Sequence, residues 1–248
     1  MGLADLHMHT IYSYDGTATV PSVLKRAKQV GLDVIAITDH DEIRGALLAE
    51  QLSPQFGLEV IPGIEITTAE GDLLALGVHK LVAAGQPLIE TLLQIGEQGG
   101  YAIAPHPMAT GMGMKSLNFY SIRKAARHPE ARKILLGIET YNATAIDRES
   151  RMFAEVLAYR TGLSRTGSSD SHAPEAIGLG TTEFPGCTAT DLLRALQNGT
   201  TTPRHKPSWS FARIVSNWVW NYLLSVPARL IPVAPSITPD SLPLPEGR

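Results

Sequence analysis

Residues 21–41 read PSVLKRAKQVGLDVIAITDHD, and the fold turns on how this stretch is parsed. Proline at the start and glycine just past the last periodic residue bracket an amphipathic helix from Pro21 to Gly31. DVIAIT (33–38) then forms a short, β-branched apolar run of the kind buried on both faces of a parallel sheet. At its carboxyl end the run gives way at once to Asp39, His40 and Asp41. The unit is therefore a helix, a buried strand and a polar tip.

The same grammar extends outward in both directions. EVIPGIEIT (59–67), DLLALGV (72–78), YAIA (101–104), ILLGIET (134–140) and LSRTGS (163–168) read as further strands, and GLADL opens the chain as another. QPLIETLLQIGEQGG and IDRESRMFAEVLAYRTG read as helices that stop at glycines. About seven β-α units before residue 203 imply parallel strands with right-handed crossovers, in a barrel or a doubly wound sheet. From residue 204 the composition changes. WSFARIVSNWVWNYLLSVPARLIPV contains every tryptophan and predicts a helix up to Pro227, and residues 232–248 hold five prolines and predict an irregular tail. The expected division is a 1–203 domain of β-α units and a 204–248 extension of Trp-rich helix and proline-rich tail.

Composition narrows the function classes. At 248 residues, with 44% hydrophobic and 18% charged residues, the chain can bury a substantial core. A formal charge of −3 and the lack of long like-charge runs give no general attraction to polynucleotide, so nucleic acid is not expected as the main partner. A lone cysteine, Cys187, cannot form an internal disulfide and is expected as a small buried hydrophobe. Cleavage of a signal peptide would remove His7 and His9, so a cytoplasmic location is expected. Only fifteen residues separate Arg213 from Arg229, short of the ~20 apolar residues of a membrane span. No transmembrane segment is expected; the helix is predicted to pack on the barrel, with peripheral membrane contact through 208–233 as the alternative.

In sheets built from β-α units, chemistry sits at the carboxyl ends of the strands. Those ends carry His7 and His9, then Asp15, Asp39, His40, Asp41, Glu65, His106, Glu139, Asp170 and His172, which include five of the eight histidines. His7 and His9 are two apart at the end of a strand, so their rings project from one face in a chelating arrangement. A mixed imidazole and carboxylate set suits two or three divalent ions such as manganese, zinc or iron, which can bind phosphate oxygens and activate a hydroxide nucleophile. No GxSxG, GxxxxGK[ST] or GxGxxG motif supports a protein-only alternative. Asp39 and Asp41 also have the reading of helix N-caps, Glu139 that of a buried carboxylate supporting the site, and His128 and His205 that of surface residues.

Taken together, DLHMHTIYSYDG, GLDVIAITDHDEIRGALLA, PGIEITTAEGDLLALGV, GGYAIAPHP, GIETYNA and TGSSDSHAPEAIGLGTTEF resemble the PHP (polymerase and histidinol phosphatase) family of metal-dependent phosphoesterases. The resemblance runs from Ala4 to about Pro203 and implies a distorted seven-stranded (β/α)7 barrel with a C-terminal extension. It further implies one metal on His7, His9, Glu65 and Asp170, a second on Glu65 and His106, and a third on Asp15, His40 and His172. Asp72 stands where relatives carry the histidine of a GHxLALG pattern, and His79 is an alternative only if it faces the pocket. Arg44 and Asn142 are candidate phosphate contacts.

The function expected is hydrolysis of a phosphoester in a small phosphorylated metabolite or nucleotide. Thirty-three residues from His106 to Glu139 leave no room for a capping domain, and Lys115, Arg123 and Lys124 are too few to line a polymer groove. The alternatives are a nuclease acting on polynucleotide ends and a non-catalytic metal-binding interaction module.

Overall fold

The computed structural model describes residues 1–110, 114–145, 147–206 and 209–230. Its core is one sheet of nine strands: β1 (Gly2–Asp5), β2 (Val34–Ile37), β3 (Glu59–Thr67), β4 (Asp72–Leu76), β5 (Tyr101–Ala104), β6 (Leu135–Asn142), β7 (Ser164–Ser168), β8 (Gly180–Phe184) and β9 (Thr202–His205). The spatial order is β7-β6-β5-β4-β3-β2-β1-β8-β9. The first seven strands lie side by side in chain order and curl into a nearly closed barrel, matching the expected seven-stranded plan.

The helices are α1 (Val20–Val30), α2 (Arg44–Leu52), α3 (Leu88–Glu97), α4 (Phe119–Arg127), α5 (Ala131–Ile134), α6 (Arg148–Thr161), α7 (Ala189–Asn198) and α8 (Phe211–Leu230). Within residues 21–41, α1 ends at Gly31 in the left-handed conformation (φ 82°), whose N–H closes onto the Ala27 and Lys28 carbonyls. Alternate residues of β2 divide between two apolar layers. Ile35 and Ile37 pack with α1, α2 and the other outer helices, whereas Val34 and Ala36 pack inward with Leu6, Leu74, Ile103, Phe184 and α7.

Two parts of the topology differ from a uniform β-α repeat. β4 runs antiparallel to both β3 and β5, because the four residues between Thr67 and Asp72 suffice for a turn but not for a crossover helix. β8 pairs antiparallel with β1, and β9 with β8, so a hairpin stands between the first and seventh strands. The seam opposite closes through side chains: the Thr182 hydroxyl bonds both N–H and C=O of Gly167, at 3.0 and 2.9 Å. A Cβ on Gly167 would lie 2.6 Å from the Thr181 carbonyl, so a larger residue would push the two edges apart.

β9 carries the sheet to His205, just past the expected domain boundary at 203. α8 does not stop at Pro227. The proline removes only the bond to the Leu223 carbonyl, on a turn where Leu223 is exposed and water can replace it. Among the described residues, no helix is long and apolar enough to cross a membrane. Residues 231–248, where an irregular tail was expected, lie outside the described residues. Cys187 is exposed rather than buried.

Candidate metal centre

The chain leaves β1 at Asp5, a fully buried carboxylate that accepts the N–H of Ser169 and of Gly178, both at 3.0 Å. Burial pushes its pKa up to about 6 despite these bonds. Asp5 thereby fixes the loop carrying Asp170 against the loop carrying His7 and His9. The His9 N–H donates to the Ser171 carbonyl at 2.9 Å, so the two loops continue as a short parallel ladder. Met8 points away from the histidines into the core.

Four donor atoms from three of these segments converge. His7 Nε2 stands 3.0 Å from Glu65 Oε2 and 3.4 Å from Asp170 Oδ1, and His9 Nε2 stands 3.3 Å from each of the same two oxygens. A tetrahedral ion with bonds of ~2.0–2.1 Å has ligand-to-ligand edges of about 3.3–3.4 Å. The four imidazole-to-carboxylate spacings are close to the separation of ligands that share one ion. His9 is 1% exposed, and neither ring nitrogen makes a hydrogen bond of good geometry, an expensive state for a buried imidazole unless an ion takes the lone pair.

Glu65 uses its other oxygen in a second direction, with Oε1 3.1 Å from His106 Nε2. On the solvent side His9, Asp15, His40 and His172 form a third group. Asp15 Oδ2 lies 3.5 Å from His40 Nε2 and 3.2 Å from His172 Nε2. The His9 ring is stacked on His172 and His40, with centroids 4.2 and 4.6 Å away. Asp170 and His106 both have positive φ (50° and 28°), backbone strain of the sort concentrated at functional positions.

Supporting residues hold this cluster in register. Glu139 Oε1 accepts from His7 Nδ1 at 3.1 Å and from the Ser168 hydroxyl, while Oε2 accepts the His106 N–H and Asn142 Nδ2, each at 2.9 Å. A carboxylate only accepts, so Glu139 keeps a proton on His7 Nδ1, and an ion bound beside Glu65 and Asp170 would take the place of the proton on Nε2. Asp39 takes both the N–H and the hydroxyl of Thr10, at 2.6 and 2.7 Å, and locks the turn after His9. Asp41 accepts the Thr67 N–H at 2.8 Å. Neither aspartate caps α2, whose first N–H groups are taken by Glu42 instead.

Charge is balanced within the cluster. For Glu65, burial alone would raise the pKa, but the His7 charge, hydrogen bonds from His106 and His7, and the adjacent His9 ring outweigh it and hold the carboxyl well below its usual range. For His7 burial works downward, yet the charges of Asp170, Glu65 and Glu139 lift it well above its ordinary value. An ion arriving here would displace those protons.

Asp72 is 4% exposed and lines the same cavity, but it does not converge with Glu65 and His106 closely enough to complete a ligand group. Its Oδ2 accepts the Lys115 N–H at 3.3 Å, and its buried Oδ1 has no partner among the described residues. His79 faces away: it is exposed and lies 3.3 Å from Glu50.

The two expected phosphate contacts are both engaged by carboxylates of the chain itself. Arg44 folds back onto Glu42, with its Nε 2.9 Å from Oε2, and it does not line the cavity. Asn142 is buried and saturated: Nδ2 donates to Glu139 and to Asp170 (3.1 Å), and Oδ1 accepts the N–H groups of Thr144 and Ala145. It has no capacity left for a substrate. Asp5 and Ser168 were not singled out from the sequence, since nothing local marks a residue whose partner lies across the barrel.

The centre opens into a cavity of about 420 Å³. α8 lies across its mouth, and Trp218 Nε1 donates to the Asp15 carbonyl at 2.8 Å. Lys115 is the one ammonium or guanidinium group among the described residues lining the cavity.

The model of the PHP domain family matches residues 5–177. An uncharacterized protein of Methanocaldococcus jannaschii is 43% identical over 114 residues, covering 42% of this chain and 67% of that protein. A phosphoribosyl 1,2-cyclic phosphate 1,2-diphosphodiesterase of Eggerthella lenta is 33% identical over 96 residues, 36% of this chain and 35% of that one. A 5'-3' exoribonuclease of Haemophilus influenzae is 41% identical over 64 residues, 26% and 23% of the respective chains. The alignments thus span about a third and a quarter of these two relatives of named activity. A candidate metal-dependent phosphoesterase of Bifidobacterium adolescentis shares the fold, with a TM-score of 0.60 at 17% identity over 85% of this chain and 98% of that one. With the match running from Asp5, at the end of β1, to Ile177, just past the last histidine of the cluster, the chain belongs to the PHP domain family.

Proposed function

We propose that the protein is a metal-dependent hydrolase of phosphoric esters, acting on a small phosphorylated metabolite or nucleotide in a reducing, cytoplasmic setting. The observation that carries this is the convergence of His7 and His9 with Glu65 and Asp170, each imidazole Nε2 lying 3.0–3.4 Å from each of the two carboxylate oxygens, beneath a cavity. In this reading two or three ions of manganese, zinc or iron are held by these four, by Glu65 with His106, to which Asp72 is drawn in from the cavity wall when the ion is bound, and by Asp15, His40 and His172. When bound, such ions lower the pKa of a coordinated water and neutralise phosphoryl oxygens.

The chain's own residues prepare the site. Glu139 sets the His7 tautomer, Asp39 and Asp5 hold the two histidine-bearing loops, and Glu65 joins the floor to the His106 side. With Lys115 as the one ammonium or guanidinium group lining the cavity among the described residues, the burden of phosphate charge falls on the ions. The non-catalytic alternative is disfavoured because the third group is partly exposed at the cavity mouth, whereas structural sites are usually closed.

The exoribonuclease relative favours one second reading, removal of nucleotides from polynucleotide ends. Both readings are tested with one panel of sugar phosphates, nucleotides, aryl phosphates and short oligonucleotides at a stated salt concentration. Chelated protein is expected to lose phosphate release and to regain it with manganese or zinc. Full activity in verified metal-free protein would overturn the proposal. Oligonucleotides preferred by tenfold or more, with the advantage lost steeply as salt rises, would replace the small substrate with the nuclease reading.

A further inference from the structure

We infer that the group esterified to the phosphate is a compact apolar one, because α8 roofs the metal-lined floor with hydrocarbon and indole; this rests on the phosphoesterase reading above. The cavity has two unlike ends. Its floor presents Asp15, His40, Glu65 and His106, and its roof presents Trp209 together with Ile214, Val215 and Trp218 from α8.

The roof is short of polar partners. The Trp218 N–H is already committed to the Asp15 carbonyl, and the Arg213 guanidinium lies over the Trp209 ring, 4.3 Å from its centroid, outside the cavity lining. Among the described residues of α8 that line the cavity, Asn217 is the one polar side chain besides the Trp218 indole. A polyol or sugar with its phosphate on the floor would bring several hydroxyls against this surface, and each hydroxyl buried without a partner is unfavourable. An aryl or branched alkyl group would instead bury its surface against the two indoles. The roof is also tied down at two points, by Trp218 on Asp15 and by Asn221 Nδ2 on Glu175 Oε2 at 3.2 Å, so it forms a fixed wall of the site. A cavity near 420 Å³ lies toward the small end of ligand pockets, which limits the group to a compact one.

Hydrolysis of such an ester is balanced by water alone. A water oxygen forms a bond to phosphorus, the P–O bond to the alcohol breaks, and the alcohol oxygen takes up a proton, leaving inorganic phosphate.

The test uses the manganese-loaded full chain and two independent readouts. In the first, calorimetry compares binding of phenylphosphonate and methylphosphonate, neither of which can be hydrolysed at a P–O ester. In the second, kcat/KM is compared for benzyl phosphate and glycerol 1-phosphate. We expect at least ~10-fold preference for the aromatic member in both, a modest figure against the 10-fold or more that one methylene can provide in an apolar pocket. Replacing Ile214→Asn and Val215→Asn together should shrink both ratios to within about threefold. If that double variant does not melt cooperatively, Trp209→Ala, which lies outside the helix, serves instead.

Ratios near one in the wild type, or ratios untouched in a folded roof variant, overturn the inference. Equal turnover of both esters would sink it while leaving the phosphoesterase reading intact. Preferential binding of phenylphosphonate with no turnover of either ester would sink that reading and retain the apolar subsite.

Discussion

Glu139→Gln isolates the one hydrogen bond on which the metal floor depends for its protonation state. The substitution is isosteric but replaces one of two accepting oxygens with a donor. On the Oε2 side stand the His106 N–H and Asn142 Nδ2, both donors at 2.9 Å, so the amide oxygen must take that side. The amide nitrogen is left facing His7 Nδ1. His7 now gains a hydrogen bond only by accepting at Nδ1, which puts its proton on Nε2, the atom aimed at Glu65 and Asp170. An ion can bind only after the tautomer reverts and that bond is lost. Loss of such a supporting contact weakens metal binding about 10–100-fold, or about 1.4–2.7 kcal/mol. Competition with a chromogenic chelator measures the affinity, and a cooperative melt of the metal-free variant shows that it is folded. An affinity within twofold of wild type in a folded variant would refute the assignment of Glu139 as the tautomer-setting residue.

Three further outcomes are expected. His7, His9, His40, His106 and His172 all have raised pKa values: burial pulls them down, but neighbouring carboxylates outweigh it. Their contribution to stability is therefore full below about pH 6.5 and is lost as pH climbs through the raised values, while that of the depressed Asp15, Glu65 and Asp170 is full above about pH 4 and is lost in acid. Chelated protein should melt highest between those limits and progressively lower toward pH 8.5, and saturating metal should remove the alkaline decline; a flat profile from pH 6 to 8.5 would contradict this. Asp72→Ala should lower bound metal by one ion per chain and Asp72→His should preserve or raise it, as read by elemental analysis, and equal content in wild type and the alanine variant would end the role of Asp72. Trp218→Phe removes the indole bond to the Asp15 carbonyl, worth about 0.5–1.5 kcal/mol, and should lower the melting temperature by roughly 2–4 °C per kcal/mol; no change would show that α8 is not held there.

What the sequence disclosed, and what it hid, follows from the range of the interactions involved. β3 spans Glu59–Thr67 as its apolar run predicts, and α1 ends at Gly31, because burial and capping are written in adjacent residues. The polar strand ends were legible for the same reason, since a histidine or carboxylate after a buried run is conspicuous. Strand direction was not: DLLALGV has the same composition parallel or antiparallel, and only the shortness of the 68–71 connection sets it. β8 was missed because GTTEF is short and half polar, and it is a strand through its pairing with β1. Asn142 and Arg44 show the limit for side chains. Each has the chemistry to meet a phosphate, and each is taken instead by a carboxylate, three and two residues away, that no periodicity ties to it.

The pairing of Asp5 with Ser169 joins residues 164 positions apart, and His7 waits for Asp170 across nearly the same interval. During synthesis at about 5–20 residues per second, His7 and His9 therefore leave the ribosome roughly 8–33 seconds before Asp170 does. Through that interval they are a bare chelating pair on an unclosed sheet. On the proposed ligand set, metal uptake would follow the order of synthesis: two imidazoles first, Glu65 and His106 as the middle strands arrive, and Asp170 and His172 when the barrel shuts. The helix that roofs the cavity is made after all of them, so the nascent chain passes through a stage in which the metal floor is complete and still open to solvent.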